Sequence, residues 1–201
     1  MRKALALGAV FFLTGIALAT PGPEVLRQSP ELDIAEPGQP DLMLSSLKGE
    51  VVAVEFLFAR SQHCQRVAQM LNKLNGELGS QGFRAVGVVF DPPTGSTAGI
   101  QIVEFLKSYL HLTYPVGYTS KEAVDAYLGR APGQVLQIPQ LVIIDRGGMI
   151  RATTGGRDAN ITLEDEGLLR GQLQQLLRES SPVSDTGQLK GSGHSDPLTS
   201  K

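Results

Sequence analysis

The chain has 201 residues, which is enough for one well-packed domain with a substantial core rather than two. Hydrophobic residues make up 41% and charged residues 19%, and the formal net charge is only -2. Because this balance lacks the basic surplus that is typical of nucleic-acid binding, we expect no nucleic-acid partner.

The first residues have the pattern of a secretory signal. Met1–Lys3 is a short positive segment, an apolar stretch follows to Leu18, and small residues end at Ala19. The apolar stretch is shorter than the roughly 20 residues of a membrane-spanning helix. We expect a signal peptide at 1–19 and no membrane span after cleavage; the alternative is an uncleaved segment that tethers the protein. Either way the location is extracytoplasmic, periplasmic or secreted, where disulfides persist.

After a predicted linker at 20–28, the pattern of the folded part alternates between strands and helices. Glu50–Phe58 is a nearly continuous β-branched and aromatic run, which predicts a strand covered on both faces. Helical spacing from Val67 to Leu78 predicts a helix that Gly79 and Gly82 close. Phe83–Phe90 predicts a second strand, which ends at Asp91-Pro92-Pro93.

The second half of the folded part contains a predicted hairpin. The remaining predicted elements are a helix over Ile102–Leu110, an extended piece at Tyr114–Val116, a helix over Lys121–Leu128, hairpin strands Gln140–Ile144 and Met149–Thr153, and a helix from about Thr162 to Arg178. The last helix should bury one face formed by Leu168, Leu169, Leu173, Leu176 and Leu177. These elements imply an α/β fold with a central mixed sheet covered by helices, over residues 29–179.

The end of the chain is polar and rich in glycine and serine from Ser180 onward. Such a segment cannot bury enough apolar surface to order itself, so we predict a disordered tail at 180–201 and exclude His194 from any site.

The single cysteine, Cys64, lies where the first long strand gives way to a helix, and Ser61 stands three residues before it. With one cysteine the chain cannot form an internal disulfide, so any disulfide must join it to another molecule.

The order of these pieces resembles the thioredoxin fold, with its three-layer α/β/α architecture. The pieces are a strand with a cysteine-bearing turn, then Ile138-Pro139, then Leu141–Gly148 as the following strand and turn. Within that fold the chain is similar to the extracytoplasmic redoxins, which span the TlpA-like thiol-disulfide oxidoreductases and the AhpC/TSA antioxidant proteins. The resemblance implies that Pro139 is a cis-proline beside the active site.

The resemblance allows two alignments of the Ser61-x-x-Cys64 pair. In the dithiol alignment, Ser61 replaces the attacking cysteine and Cys64 is the resolving one, so ordinary dithiol exchange is lost. In the peroxidatic alignment, Cys64 attacks a hydroperoxide, becomes a sulfenic acid and is reduced by an outside thiol. The first helical turn, Arg60 and His63 would favour the thiolate.

Two departures count against the peroxidatic alignment. Leu57 occupies the place of the proline that begins the peroxidatic motif, and no arginine lies next to Ile138-Pro139; Arg130 and Arg146 are the nearest in sequence.

Each candidate residue also has a structural alternative. Ser61 can be an N-cap that accepts the amide of His63 or Cys64, a role worth about 1 kcal/mol. Cys64 can be a small buried hydrophobe, and His63 a solvent-facing side chain. Pro139 can be structural as well as site-lining.

We expect no metal and no cofactor. The folded part has one cysteine and, besides His63, only His111 as a further histidine, which is a poor ligand set.

Two functions remain open. The first is an oxidoreductase in which Cys64 reduces peroxides or exchanges disulfides, with Ser61, His63 and Pro139 around it and a partner protein or low-molecular-weight thiol as co-reactant. The second is a degenerate binding module that pairs with extended client peptides beside Pro139 by main-chain hydrogen bonds.

Overall fold

The computed structural model describes residues 26–90, 96–131, 133–155, 160, 162–163 and 165–179. Within these residues the strands are β1 (Arg27–Gln28), β2 (Asp33–Ile34), β3 (Leu42–Met43), β4 (Val51–Leu57), β5 (Phe83–Val89), β6 (Val116–Tyr118), β7 (Gln140–Ile144) and β8 (Met149–Thr153). The helices are α1 (Gln62–Leu78), α2 (Ser96–Leu110), α3 (Lys121–Leu128) and α4 (Glu166–Arg178), with short 3-10 turns at Leu44–Leu47 and Gly79–Gln81.

Six strands form one mixed sheet in the order β1-β8-β7-β4-β5-β6. The pairs β4–β5 and β5–β6 are parallel, whereas β4–β7, β7–β8 and β1–β8 are antiparallel. All seven residues of β4 are buried, as expected for an apolar run in a central strand covered on both faces. The predicted mixed sheet is confirmed.

Helices cover both faces of this sheet. One face packs against α1, α2 and α4 in a continuous apolar cluster that includes Leu71, Leu106 and Leu173. The other face packs against α3 and the segment before β4, in a second cluster that includes Ile34 and Tyr127. The result is the three-layer α/β/α architecture of the thioredoxin-like fold.

Several element boundaries differ from those predicted. The last helix begins at Glu166 rather than near Thr162, because the Asp165 side chain caps it by accepting from the Leu168 amide at 3.0 Å. Leu168 is 61% exposed, so it does not belong to the buried face of α4. The short extended piece begins at Val116 instead of Tyr114.

The segment before β4 is more ordered than its sequence pattern indicates. Arg27 and Gln28 fall in the predicted linker, yet they pair with β8 as an edge strand. β2 and β3 form a separate two-stranded ribbon that has no periodic signal in the sequence. Strands of two residues are too short to show an alternating pattern, which is why they were not predicted.

The predicted signal peptide, the tail from Ser180 with His194, and the Asp91-Pro92-Pro93 turn lie outside the described residues. In the part of the chain that the structure describes, none of the helices combines the length and the apolar character needed to cross a membrane.

Candidate functional site

Ser61 caps the helix that follows the central strand. Its backbone is extended, with φ -79° and ψ 117°, and its hydroxyl accepts a hydrogen bond from the Cys64 amide at 3.3 Å. This bond satisfies one of the amides that a helix leaves free at its start. The prediction that Ser61 is an N-cap is therefore confirmed. The cap leaves open whether the hydroxyl also takes part in the chemistry of the Cys64 thiol.

Cys64 lies in the first turn of α1, and its side chain is fully buried, with 0% exposure, in the cluster beneath that helix. Burial is the largest influence on its thiol and raises the pKa above the ordinary value; the Ser61 hydroxyl and the Phe58 backbone oppose this, while the charge of Glu55 adds to it. The sequence-based expectation that the helix start would favour the thiolate is not met, because desolvation outweighs it. In this conformation burial disfavours the thiolate form of Cys64.

Arg60 and His63 have exposed side chains. Neither is among the groups that alter the pKa of Cys64. The proposed electrostatic help from these two residues therefore has no support in the geometry, and the solvent-facing alternative for His63 fits its exposure.

The two arginines nearest to Ile138-Pro139 in sequence are engaged elsewhere. The Arg130 guanidinium pairs with Asp125 and donates to the Gln134 carbonyl. Arg146 donates to the Gln81 carbonyl at 2.9 Å, beside the turn that precedes β5. Both guanidinium groups therefore have protein partners other than Cys64.

Pro139 is buried, and the Ile138–Pro139 peptide bond is cis. The next residue, Gln140, pairs with Phe56 in the register of β7 and β4. Because Phe56 is near the carboxyl end of β4, Pro139 lies at the same end of the sheet as the first turn of α1. The fold thus brings Ser61, Cys64 and Pro139 to one end of the sheet.

Glu55 is a site residue that the sequence patterns did not single out. It lies in the middle of β4 with 0% exposure, and neither carboxylate oxygen has a hydrogen-bond partner. Burial raises the pKa of this carboxyl well above its ordinary value. The available signal was a lone acidic residue in the otherwise apolar run Val51–Phe58, since a charged residue is rarely buried without a partner.

Glu55 lies on the same face of the sheet as Cys64. It pairs with Leu141 on β7, a member of the cluster that contains Cys64. Alternation along β4 places it with Ala53 and Leu57, which belong to the same cluster. The site therefore contains a buried thiol and a buried carboxyl on one face, in apolar surroundings that raise the pKa of both.

The protein-family model for the AhpC/TSA family matches residues 26–153. The chain belongs to the AhpC/TSA family. This membership confirms the redoxin resemblance and is consistent with the oxidoreductase expected from the sequence. A search of curated proteins found no match.

Solved structures similar to this family member show the fold it shares. A thiol:disulfide interchange protein of the thioredoxin family from Chlorobium tepidum TLS is 19% identical, with a TM-score of 0.60, and the alignment covers 79% of this chain and 99% of that one. A thiol:disulfide interchange protein from Bacteroides sp. is 18% identical, with a TM-score of 0.59 and coverage of 78% and 92%. The thioredoxin domain of a thiol-disulfide oxidoreductase from Bacteroides vulgatus is 18% identical, with a TM-score of 0.57 and coverage of 79% and 99%. At these identities the likeness establishes the thioredoxin-like fold.

Proposed function

We propose that the protein is an extracytoplasmic thiol redox protein in which Cys64 is the reacting group. In this proposal Glu55 accepts the Cys64 proton and passes it to the leaving group. The observation that carries this proposal is the Glu55 carboxyl, which is fully buried without a hydrogen-bond partner. A buried polar group without a partner lowers stability, so it is a poor choice for a purely structural position. Strongly perturbed carboxyls concentrate at functional sites, and this one shares a face with the only cysteine.

The reaction with a hydroperoxide needs one group that takes the proton from Cys64 and gives it to the departing alkoxide. In the fraction of molecules with ionised Glu55, the carboxylate accepts the Cys64 proton, and the thiolate attacks the peroxide oxygen. The O–O bond breaks, Cys64 becomes a sulfenic acid, and the departing alkoxide takes the proton from Glu55 and leaves as an alcohol. One external thiol then condenses with the sulfenic acid to give a mixed disulfide and water, and a second thiol releases Cys64 as a thiol.

The same two groups serve disulfide exchange. The Cys64 thiolate attacks one sulfur of a partner disulfide, the S–S bond breaks, and the departing thiolate takes its proton from Glu55. Because Ser61 cannot form a disulfide, the mixed disulfide with Cys64 persists until another thiol resolves it.

Access to Cys64 sets the rate in this proposal. The thiol has no exposed surface, so the first turn of α1 must open before a reagent reaches it. Ser61 stabilises the closed turn through its bond to the Cys64 amide. Ser61 therefore caps the helix and, by stabilising the closed turn, slows the reaction. Pro139 lies at the end of the sheet where a co-reactant would approach.

The full burial of Cys64 favours a second candidate function. A binding module that recognises extended client peptides beside Pro139 needs no reactive thiol. In that case Cys64 is a small core residue, and Glu55 has no chemical role.

The location is part of the proposal and is supported by the signal-like pattern of residues 1–19. On this view the mature chain consists of a linker that ends before β1, the redoxin domain from β1 to residue 179 and the tail at 180–201.

The test is the intact mass of the reduced protein after one equivalent of an organic hydroperoxide, or of a low-molecular-weight disulfide. We expect a sulfenic acid, trapped by dimedone, in the first case and a mixed disulfide in the second. Cys64→Ser should remove both products, and Glu55→Gln should slow both without changing the mass that forms. If the folded wild type stays unmodified under both reagents, the redox proposal fails and the binding module is the better account.

A further inference from the structure

Tyr114 is a buried titratable group that the proposed redox step does not use. Its side chain is 1% exposed and belongs to the same apolar cluster as Cys64, on the face of the sheet that carries Glu55. Its hydroxyl donates to the Ala68 carbonyl in α1 at 3.4 Å. That distance is long for a hydrogen bond between oxygens, whose usual value is about 2.7 to 2.8 Å, so the bond is weak.

The acceptor of this bond does not depend on Tyr114. Ala68 is inside α1, where each carbonyl already accepts the amide four residues later. If the tyrosine hydroxyl turned away, the Ala68 carbonyl would keep its helical partner. The Tyr114 hydroxyl can therefore change its acceptor without leaving the Ala68 carbonyl unpaired.

The group without a partner is Glu55. Its two carboxyl oxygens are buried and have no hydrogen-bond partner. The Glu55 charge raises the pKa of Tyr114, after burial, and also that of Cys64, so both groups sense its ionisation. The residues paired with Glu55 on the neighbouring strands are Gly87 on β5 and Leu141 on β7. The buried titratable members of the cluster on this face are Cys64 and Tyr114.

We propose that Tyr114 is a positioning residue whose hydroxyl turns from the Ala68 carbonyl to the Glu55 carboxylate when Glu55 loses its proton. A carboxylate in an apolar cluster needs a donor, and a hydrogen bond to a charged group is stronger than one to a neutral carbonyl. Tyr114 thereby stabilises the ionised form of Glu55, which is the form that accepts the Cys64 proton. The consequence for catalysis rests on the proposed function; the movement of the hydroxyl does not.

Tyr114→Phe removes only the hydroxyl, and Tyr127→Phe is its matched control. Tyr127 is also buried, but it lies in the cluster on the opposite face of the sheet, where its hydroxyl is 2.9 Å from Ser29 Oγ. The Glu55 carboxyl is followed by the pH dependence of its carbon-13 signal in reduced, glutamate-labelled protein. We expect Tyr114→Phe to shift this titration to higher pH and Tyr127→Phe to leave it in place.

The same pair of variants is then compared in the alkylation rate of Cys64. Because ionised Glu55 raises the pKa of Cys64, Tyr114→Phe should move the pH profile of the alkylation rate together with the Glu55 titration, and Tyr127→Phe should leave the profile in place. A rate that falls equally at every pH would indicate a structural effect and overturn the proposal. An unchanged Glu55 titration in folded Tyr114→Phe would also overturn it.

A measurement on the wild type covers the case in which Tyr114→Phe does not fold. The C–O stretching band of labelled tyrosine should change in the same pH step as the Glu55 carboxyl band, and Glu55→Gln should abolish that change. A tyrosine band that stays constant through the Glu55 step contradicts the proposal. Because these titrations involve no oxidant, they separate its failure from that of the redox function, which is read from the mass of oxidised Cys64.

Discussion

Glu55 and Cys64 are both fully buried on one face of the central sheet, and the charge of the carboxyl raises the pKa of the thiol. Each is costly to ionise alone, and ionising both at once is costlier still because like charges repel. Ionisation of either group therefore opposes ionisation of the other, in addition to the cost of burying its charge.

The first prediction concerns stability and pH. The pKa of Glu55 is raised in the folded protein, so above about 4.5, its ordinary value, the unfolded chain loses this proton first and the free energy of unfolding falls as pH rises. The loss is about 1.4 kcal/mol per pH unit until the folded pKa is reached. Glu55→Gln removes this decline, so its stability advantage over the wild type should grow with pH in urea unfolding.

Glu31→Gln is the control with the opposite sign. Burial acts to raise the pKa of Glu31, but hydrogen bonds from the Ser45 side chain and from the Ser45 and Leu32 amides together lower it. The stability that ionised Glu31 contributes is present above its ordinary pKa and is lost as pH falls through its pKa in the folded protein. If Glu55→Gln keeps the wild-type slope above about pH 5, the Glu55 carboxyl is not neutral in the folded state.

The second prediction concerns the exposure of Cys64. Because the thiol is buried and its pKa is raised, alkylation of the folded protein at neutral pH should be at least about tenfold slower than in the unfolded chain. If opening is confined to the first turn of α1, it exposes little surface, so the rate should change little in low urea and rise steeply only where the whole domain unfolds. Equal rates in the folded and unfolded chains would contradict the burial of Cys64.

The third prediction separates the two roles of Ser61. Ser61→Ala removes the cap on α1 and should lower the free energy of unfolding by about 1 kcal/mol. It also removes a hydroxyl that lowers the pKa of Cys64, so the alkylation profile should move to higher pH.

Ser120→Ala is the matched control, since the Ser120 side chain caps α3 by accepting from the Ala123 amide at 3.1 Å. It should cost similar stability without changing the profile of Cys64. A profile that is equally unchanged in Ser61→Ala would leave Ser61 as a cap alone.

The fourth prediction restores a second thiol. In Ser61→Cys the new side chain stands at the start of α1, three residues before Cys64, which is the spacing of redox-active pairs in this fold. After treatment with a low-molecular-weight disulfide, which is reduced to two thiols, we expect an internal disulfide, seen as the loss of two hydrogens in the intact mass. We also expect a gain of disulfide reductase activity. The double variant Ser61→Cys with Cys64→Ser should show neither the internal disulfide nor the full activity. Failure of Ser61→Cys to form the disulfide would show that the first turn does not open far enough for exchange.

Much of the fold follows from local patterns. The run Glu50–Phe58 predicts a covered strand, which the structure has at Val51–Leu57, and the spacing of Val67, Leu71 and Leu74 predicts the buried face of α1. Lys121–Leu128 and the hairpin at Gln140–Thr153 were predicted with their observed bounds because turn and cap residues mark their ends. The edge strand at Arg27–Gln28 was not predictable, since two residues carry no period and their partner β8 is far along the chain.

The sequence by itself determined the α/β pattern of strands and helices, the single thiol and its place after the central strand, because periodicity and residue identity are local properties. The redoxin fold was implied by the resemblance to a known family. The sequence left open whether Cys64 is exposed or buried, and it pointed to Arg60 and His63 rather than to Glu55. Only the tertiary structure decided these points. Burial depends on which helices close over a position, and the pKa of a group depends on the solvent and the neighbours it loses or gains when distant segments pack together.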